Sequence, residues 1–157
     1  MISKNLEKLL GEQVGHELSA SHHYLAIAAY FADQGLEGWA NFFFRQSDEE
    51  RGHALKIIKF LLEVGVSPTM PAIGAATPKF KSALDAVSAA LKSEQRVSTQ
   101  FNEMAKTAMA DGCYTSFQFV QWFIEEQVEE EASMQQLVDL LNSQPNLFLA
   151  QMLLPKE

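Results

Sequence analysis

Chain-breaking residues in this sequence are few and clustered, and this constrains the fold most. Gly35 and Gly38 bracket "GLEG"; Pro68, Pro71, Gly74 and Pro78 fall within "VSPTMPAIGAATPKFK"; Gly112 lies in "ADGC" and Pro145 in "NSQPN". Four long segments remain, at about 3–34, 38–65, 82–110 and 113–143. Each repeats its apolar residues at helical spacing. The stripes are Leu6, Leu10, Ala20, Tyr24, Ile27 and Phe31; Trp39, Phe43, Ile57, Leu61 and Val64; Ala83, Val87, Ala90, Val97, Phe101 and Ala108; and Val120, Phe123, Met134, Val138 and Leu141. Ser82 followed by Asp85 predicts a capped start for the third segment. With no strand pattern, the expectation is an all-α four-helix bundle over one domain, 1–157.

The connections set the topology. Short loops join segments one to two and three to four, so each pair is expected to be an antiparallel hairpin. The middle connection, 66–81, is too long for such a loop. Its sixteen residues can reach ~50 Å, and a helix of this length spans ~40 Å. It can therefore run the length of the bundle, leaving helices two and three parallel with one long crossover. The apolar tail "NLFLAQMLLPKE" predicts a fifth helix of about two and a half turns.

Charge and composition exclude some partners. The net charge of −8 argues against nucleic acid and is compatible with cations. No stretch has the ~18 apolar residues of a membrane span, and no secretory leader is expected. Cys113 is the single cysteine, which suits a reducing, cytoplasmic setting.

Every stripe also carries ionisable or amide groups. At ~100° per residue, Glu17 falls on the first, Glu50 and His53 on the second, Glu94 on the third, and Gln127 and Glu130 on the fourth. Glu17 and Glu50 are 33 residues apart, as are Glu94 and Gln127, so the hairpins look like degenerate copies. Glu17 and His53 each lie about 18 residues from the first turn, and Glu94 and Glu130 are similarly disposed about the second, which predicts one shared level. A single such Glu is as readily a solvated residue at the stripe edge; the shared stripe, spacing and level favour a site. One bare buried charge costs several kcal/mol, so four would rival a domain's whole stability of ~5–15 kcal/mol. Glu17, Glu50, Glu94 and Glu130 carry four negative charges, and two divalent ions would balance them. Carboxylates with one imidazole suit iron or manganese, and zinc can also bind.

At these residues, with "EERGH" and "EEQVEEE", the sequence resembles the bacterial non-haem ferritins over nearly its whole length. The resemblance implies a ferritin-like bundle with a short fifth helix, a homo-oligomeric shell of 24 subunits, and oxidation of Fe(II) by O2 or peroxide with storage of ferric mineral. It implies that Glu17, Glu50 and His53 hold one iron, that Glu50 bridges, that Glu94 and Glu130 complete a second, and that Gln127 stays close. A third iron site would correspond to Glu49, Glu126, Glu129 and Glu130. Tyr24 falls near the site, as an electron or proton donor or as a core aromatic bonded to a carboxylate. Gln127-x-x-Glu130 in place of a second Glu-x-x-His, with Gly52 inside the first motif, argues against haem. Trp122 points off its stripe, which favours interface or surface packing over a role as another electron donor; His16, His22 and His23 also point off the stripe and are expected at surfaces, and Cys113 reads as a small packed thiol. No contact in the sequence explains Gly11 or Gly15. The alternatives are a di-iron oxidase or peroxidase without storage, and a non-enzymatic metal-binding helical oligomer.

Overall fold

The computed structural model describes residues 2–77 and 79–155; Pro78, one of the crossover breakers, and the last two residues of the tail lie outside them. Four long helices, α1 (Lys4–Asp33), α2 (Glu37–Glu63), α3 (Ala83–Ala110) and α4 (Tyr114–Ser143), follow the expected segments, with no strand among the described residues. α1 packs on α2, α3 on α4, and α1 also on α3. No helix among the described residues is long and apolar enough to cross a membrane.

Local chemistry sets the ends. Ser3 Oγ accepts from the Leu6 amide at 3.2 Å, and Ser82 Oγ from the Asp85 amide at 3.0 Å. The Asp85 carboxylate accepts from the Lys81 amide, so the cap closes one residue earlier than a standard capping box. Gly35 and Gly112 close the two hairpin turns at φ of 71° and 66°, where a Cβ would be strained. Gly38 is not a breaker: it lies in the first turn of α2, and its amide donates to Gln151 Oε1 at 3.0 Å. A Cβ there would sit 2.9 Å from that oxygen, so glycine admits the C-terminal tail.

The crossover explains a second glycine. A Cβ on Gly15 would lie 2.9 Å from Pro71 Cγ, so glycine lets the crossover pack onto α1. Nothing lies within 4 Å of a Cβ on Gly11, and no contact accounts for it.

The tail is shorter as a helix than expected. Asn146 Oδ1 accepts from the Phe148 and Leu149 amides at 3.1 Å and starts α5 (Leu147–Ala150), which tightens into a 3₁₀ turn at Gln151–Leu153. Trp39 Nε1 donates to the Leu147 carbonyl at 3.1 Å, fixing this segment to α2. Leu154 is extended in φ/ψ, so the helix cannot continue towards Pro155.

The core falls into two apolar clusters. One holds Tyr24, Ile27, Phe31, Trp39, Phe43, Val87, Ala90, Met134 and Leu137; the other holds Leu10, Val14, Ile57, Leu61, Val97, Phe101, Val120 and Phe123. On α4 Leu137 joins Val120, Phe123 and Met134 as fully buried, whereas Val138 and Leu141 are only half-buried. On every long helix the residues between the two clusters include the ionisable ones: Glu17, Glu50 with His53, Glu94, and Gln127 with Glu130. A polar layer therefore crosses the middle of the bundle.

Candidate metal centre

Burial in this layer is nearly complete. Exposure is 0% for Glu17, 1% for Glu50 and Glu94, 2% for Gln127, and 6% for His53 and Glu130. Each side chain reaches the layer because it occupies a core-facing position of a long amphipathic helix.

Three sets of potential ligands each have atoms within 4.8 Å of one another: Glu17, Glu50 and His53; Glu50, Glu94 and Glu130; and His53, Glu126 and Glu130. Glu50 belongs to the first two and Glu130 to the last two. His53 Nδ1 lies 3.4 Å from Glu50 Oε2 and 3.6 Å from Glu17 Oε2.

Neutral donors hold three of the four carboxylates. Gln13 Nε2 donates to Glu17 Oε1 at 2.8 Å, and Gln46 Nε2 to Glu130 Oε2 at 2.9 Å. Gln127 Nε2 donates to Glu94 Oε2, and the Tyr24 hydroxyl to Glu94 Oε1. Glu50 has no such partner: both its oxygens are buried and unpaired, as are Glu17 Oε2, His53 Nδ1 and Gln127 Oε1. Unpaired buried polar atoms are costly, and five converging on one layer form a donor set that fits divalent cations.

The electrostatics point the same way. Burial, then the charge of Glu94, pushes the Glu50 carboxyl well above the usual range. Burial, then Glu94 and Glu49, takes Glu130 up to about 8. Burial also raises Glu94, against the hydrogen bonds from Tyr24 and Gln127. For Glu17 burial is outweighed by the close approach of the His53 and Glu50 side chains and the hydrogen bond from Gln13, and its pKa is lowered. Burial opposes a charged His53, but the nearby Glu17 carboxylate and its charge win, and its pKa rises. Without metal the layer therefore retains protons that a cation would displace.

The outer acids assemble only partly. Glu49, Glu126, Glu129 and Glu130 line one cavity of about 270 Å³ together with Gln46. Glu126 is half-buried and belongs to a ligand set; Glu49 and Glu129 are exposed and belong to none among the described residues.

The off-stripe residues fall in different places. The Trp122 ring packs edge-on to His53 at 5.6 Å between centroids, because α4 turns it towards α2, and Lys56 Nζ covers it at 4.0 Å. His23 is half-buried and edge-on to Phe80 of the crossover, whereas His16 and His22 are exposed. Half-buried Cys113 donates its thiol to Ser116 Oγ at 3.1 Å, as a packed thiol would.

Gln13 and Gln46 escaped the sequence reading. Each stands one turn before a core-facing Glu, and they are 33 residues apart, the hairpin's own spacing. Ser21 and Ser47 were also missed: each hydroxyl donates to the other's carbonyl at 2.8 Å and clasps α1 to α2.

A family model described as a ferritin-like domain matches residues 7–143. The chain belongs to the ferritin family. It is 39% identical to the bacterial non-heme ferritin of Staphylococcus haemolyticus (strain JCSC1435) over 142 residues, 90% of this chain and 86% of that one. It is 38% identical to the bacterial non-heme ferritin of Staphylococcus aureus (strain MRSA252) over 141 residues, with 90% and 85% covered. Among solved structures, the open pore ferritin of the hyperthermophilic archaeon Archaeoglobus fulgidus superposes with a TM-score of 0.94 at 30% identity, over all of both chains. An engineered closed form of that ferritin gives 0.93, covering 100% of this chain and 99% of the other. The polar layer of this ferritin thus lies within the matched region, Glu17 to Glu130.

Proposed function

We infer that this ferritin oxidises Fe(II) with O2 at the buried carboxylate layer and stores the ferric product. The observation that carries the reading is the convergence of five unpaired buried atoms, on Glu17, Glu50, His53 and Gln127, in a layer whose other carboxylates are already oriented by neutral donors.

Fe(II) is the substrate. Glu17, Glu50 and His53 would take one ion, Glu94 and Glu130 a second, and Glu50, with both oxygens open, would span the two. Two Fe²⁺ balance the four carboxylates, so their binding expels the protons held by Glu50 and Glu130. Each Fe²⁺ loses one electron; a pair reduces one O2, which takes up two protons and leaves as hydrogen peroxide. Carboxylates stabilise Fe³⁺ more than Fe²⁺, which favours oxidation here. Tyr24, whose burial and proximity to Glu94 and Glu50 raise its pKa well above the usual range, stays protonated and holds Glu94 in place. Its position beside the ligands also suits a donor of an electron or proton to the reaction.

The outer cavity would receive a third iron, with Glu49, Glu126 and Glu129 joining Glu130. Storage requires a homo-oligomeric shell, for which 24 copies is the reading, in the cytoplasm. The exposed apolar tail residues Phe148, Leu149, Met152 and Leu153 support assembly, since a lone chain would leave them in water.

The test is aerobic Fe(II) loading of the iron-free protein with an O2 electrode, followed by size exclusion with iron and mass detection. A large particle carrying many irons per subunit is expected. A small oligomer that consumes O2 and retains only two irons per subunit would leave an oxidase without storage.

A further inference from the structure

A second cavity, outside the carboxylate layer, has the opposite electrostatic character. It measures about 250 Å³ and lies between α1 and α3, with residues 74–76 of the crossover on its wall. The two helices present matched faces. His16, Ser19 and His23 recur at i, i+3 and i+7 on α1; Ser93, Arg96 and Gln100 recur at the same spacing on α3. No Asp or Glu is among its lining residues, in a chain with 20 acids and 12 Lys and Arg.

These groups lack their natural partners. Arg96 forms no ion pair among the described residues. Burial, then the charges of Arg96 and His22, lowers the His23 pKa, so this imidazole favours its neutral form beside the Arg96 guanidinium. Gln100 Oε1 is buried with no donor to satisfy it.

We propose that this cavity is a binding site for a small oxyanion that retains a proton, of the hydrogen phosphate type. A guanidinium matches two anion oxygens at once, and serine hydroxyls donate to others. The Gln100 oxygen needs a donor, which a P–OH group supplies; sulfate, fully deprotonated near neutral pH, has none. The bound anion would link α1, the crossover and α3, and so stabilise the folded chain by mass action.

The test uses full-length, iron-free protein with inorganic phosphate, and with sulfate and chloride at equal ionic strength. Isothermal titration should show one saturable phosphate site per subunit, and Tm should rise by about 5–10 °C at a hundredfold excess over Kd. Arg96→Gln and, separately, His23→Gln should weaken binding about tenfold or more, since a hydrogen bond to a charged group is lost. Arg96→Gln should keep the particle size and the Fe(II) oxidation rate of the parent, because Arg96 lies outside the carboxylate layer. Equal binding of sulfate, no saturable phosphate site, or unchanged phosphate affinity in Arg96→Gln overturns the proposal.

Discussion

Gln127 donates its side-chain amide to two oxygens of one residue, Glu94 Oε2 at 3.0 Å and the Glu94 backbone carbonyl at 3.1 Å. This bond runs between α3 and α4 at the level of the polar layer. It fixes Glu94 from one side while Tyr24 fixes it from the other. Gln127 to Leu should therefore loosen Glu94 and weaken divalent metal binding by about tenfold. Anaerobic titration with Fe(II) or Zn(II) measures this; an unchanged affinity would mean that Glu94 needs no orienting.

Glu50 is the carboxylate whose two oxygens both lack a partner. Burial and the charge of Glu94 push its pKa well above the usual carboxylate range, which favours the protonated form without metal. Glu50→Gln therefore changes little in the metal-free protein, whose Tm should hold or rise. Iron binding should suffer far more, with the initial rate of O2 uptake down by about a hundredfold or more, since a ligand matters more than its supporting partner. A rate within a factor of two of the parent would refute the bridging assignment.

Gln46 holds Glu130, which belongs both to the central set and to the set facing the outer cavity. Gln46→Ala should free Glu130 to turn outward. The expected signature is a roughly tenfold weaker second metal ion per subunit. Metal-by-metal calorimetry resolves it, and equal stepwise affinities in parent and variant would remove Gln46 from the site.

Stability should fall as pH rises when metal is absent. Glu50, Glu94 and Glu130 have folded-state pKa values raised above the ordinary 4.5, and His53 is raised above 6.5. The folded chain then binds more protons than the unfolded one, so the stabilisation is full below the unfolded values. For Glu130 it is lost between pH 4.5 and about 8. Lowered Glu17 acts oppositely, but below its ordinary 4.5. Tm of the iron-free protein should drop from pH 5 to 9, and a bound divalent ion should reverse the slope by replacing the protons. Calorimetry with and without Zn(II) decides it.

The two glycines in the first half of α1 should respond differently. Gly11→Ala meets nothing within 4 Å and should stabilise by ~1 kcal/mol through helix propensity. At Gly15 the added methyl meets the rigid Pro71 ring, and overpacking of about 1–3 kcal/mol should cancel or exceed that gain. Thermal melts of the two variants make the comparison.

Much of this was legible in the chain because helices are local objects. A period of 3.6 residues turns sequence position into angle and height, so the stripes, the crossover and the shared level of Glu17, Glu50, His53, Glu94 and Glu130 follow from counting. The repeated 33-residue offset even contained Gln13 and Gln46. Counting along one helix says nothing, however, of what faces a residue from the next. Only the packed bundle decided that Gln46 reaches Glu130 rather than Glu50 one turn away, that Tyr24 serves Glu94 across the core, and that Trp122 leans on His53. It also decided that Gly15 makes room for Pro71 and that α5 stops after one α-helical turn and a 3₁₀ turn. Those outcomes depend on how far each helix is rotated and slid against its neighbours, and interdigitating side chains across the whole interface set that, not any single segment.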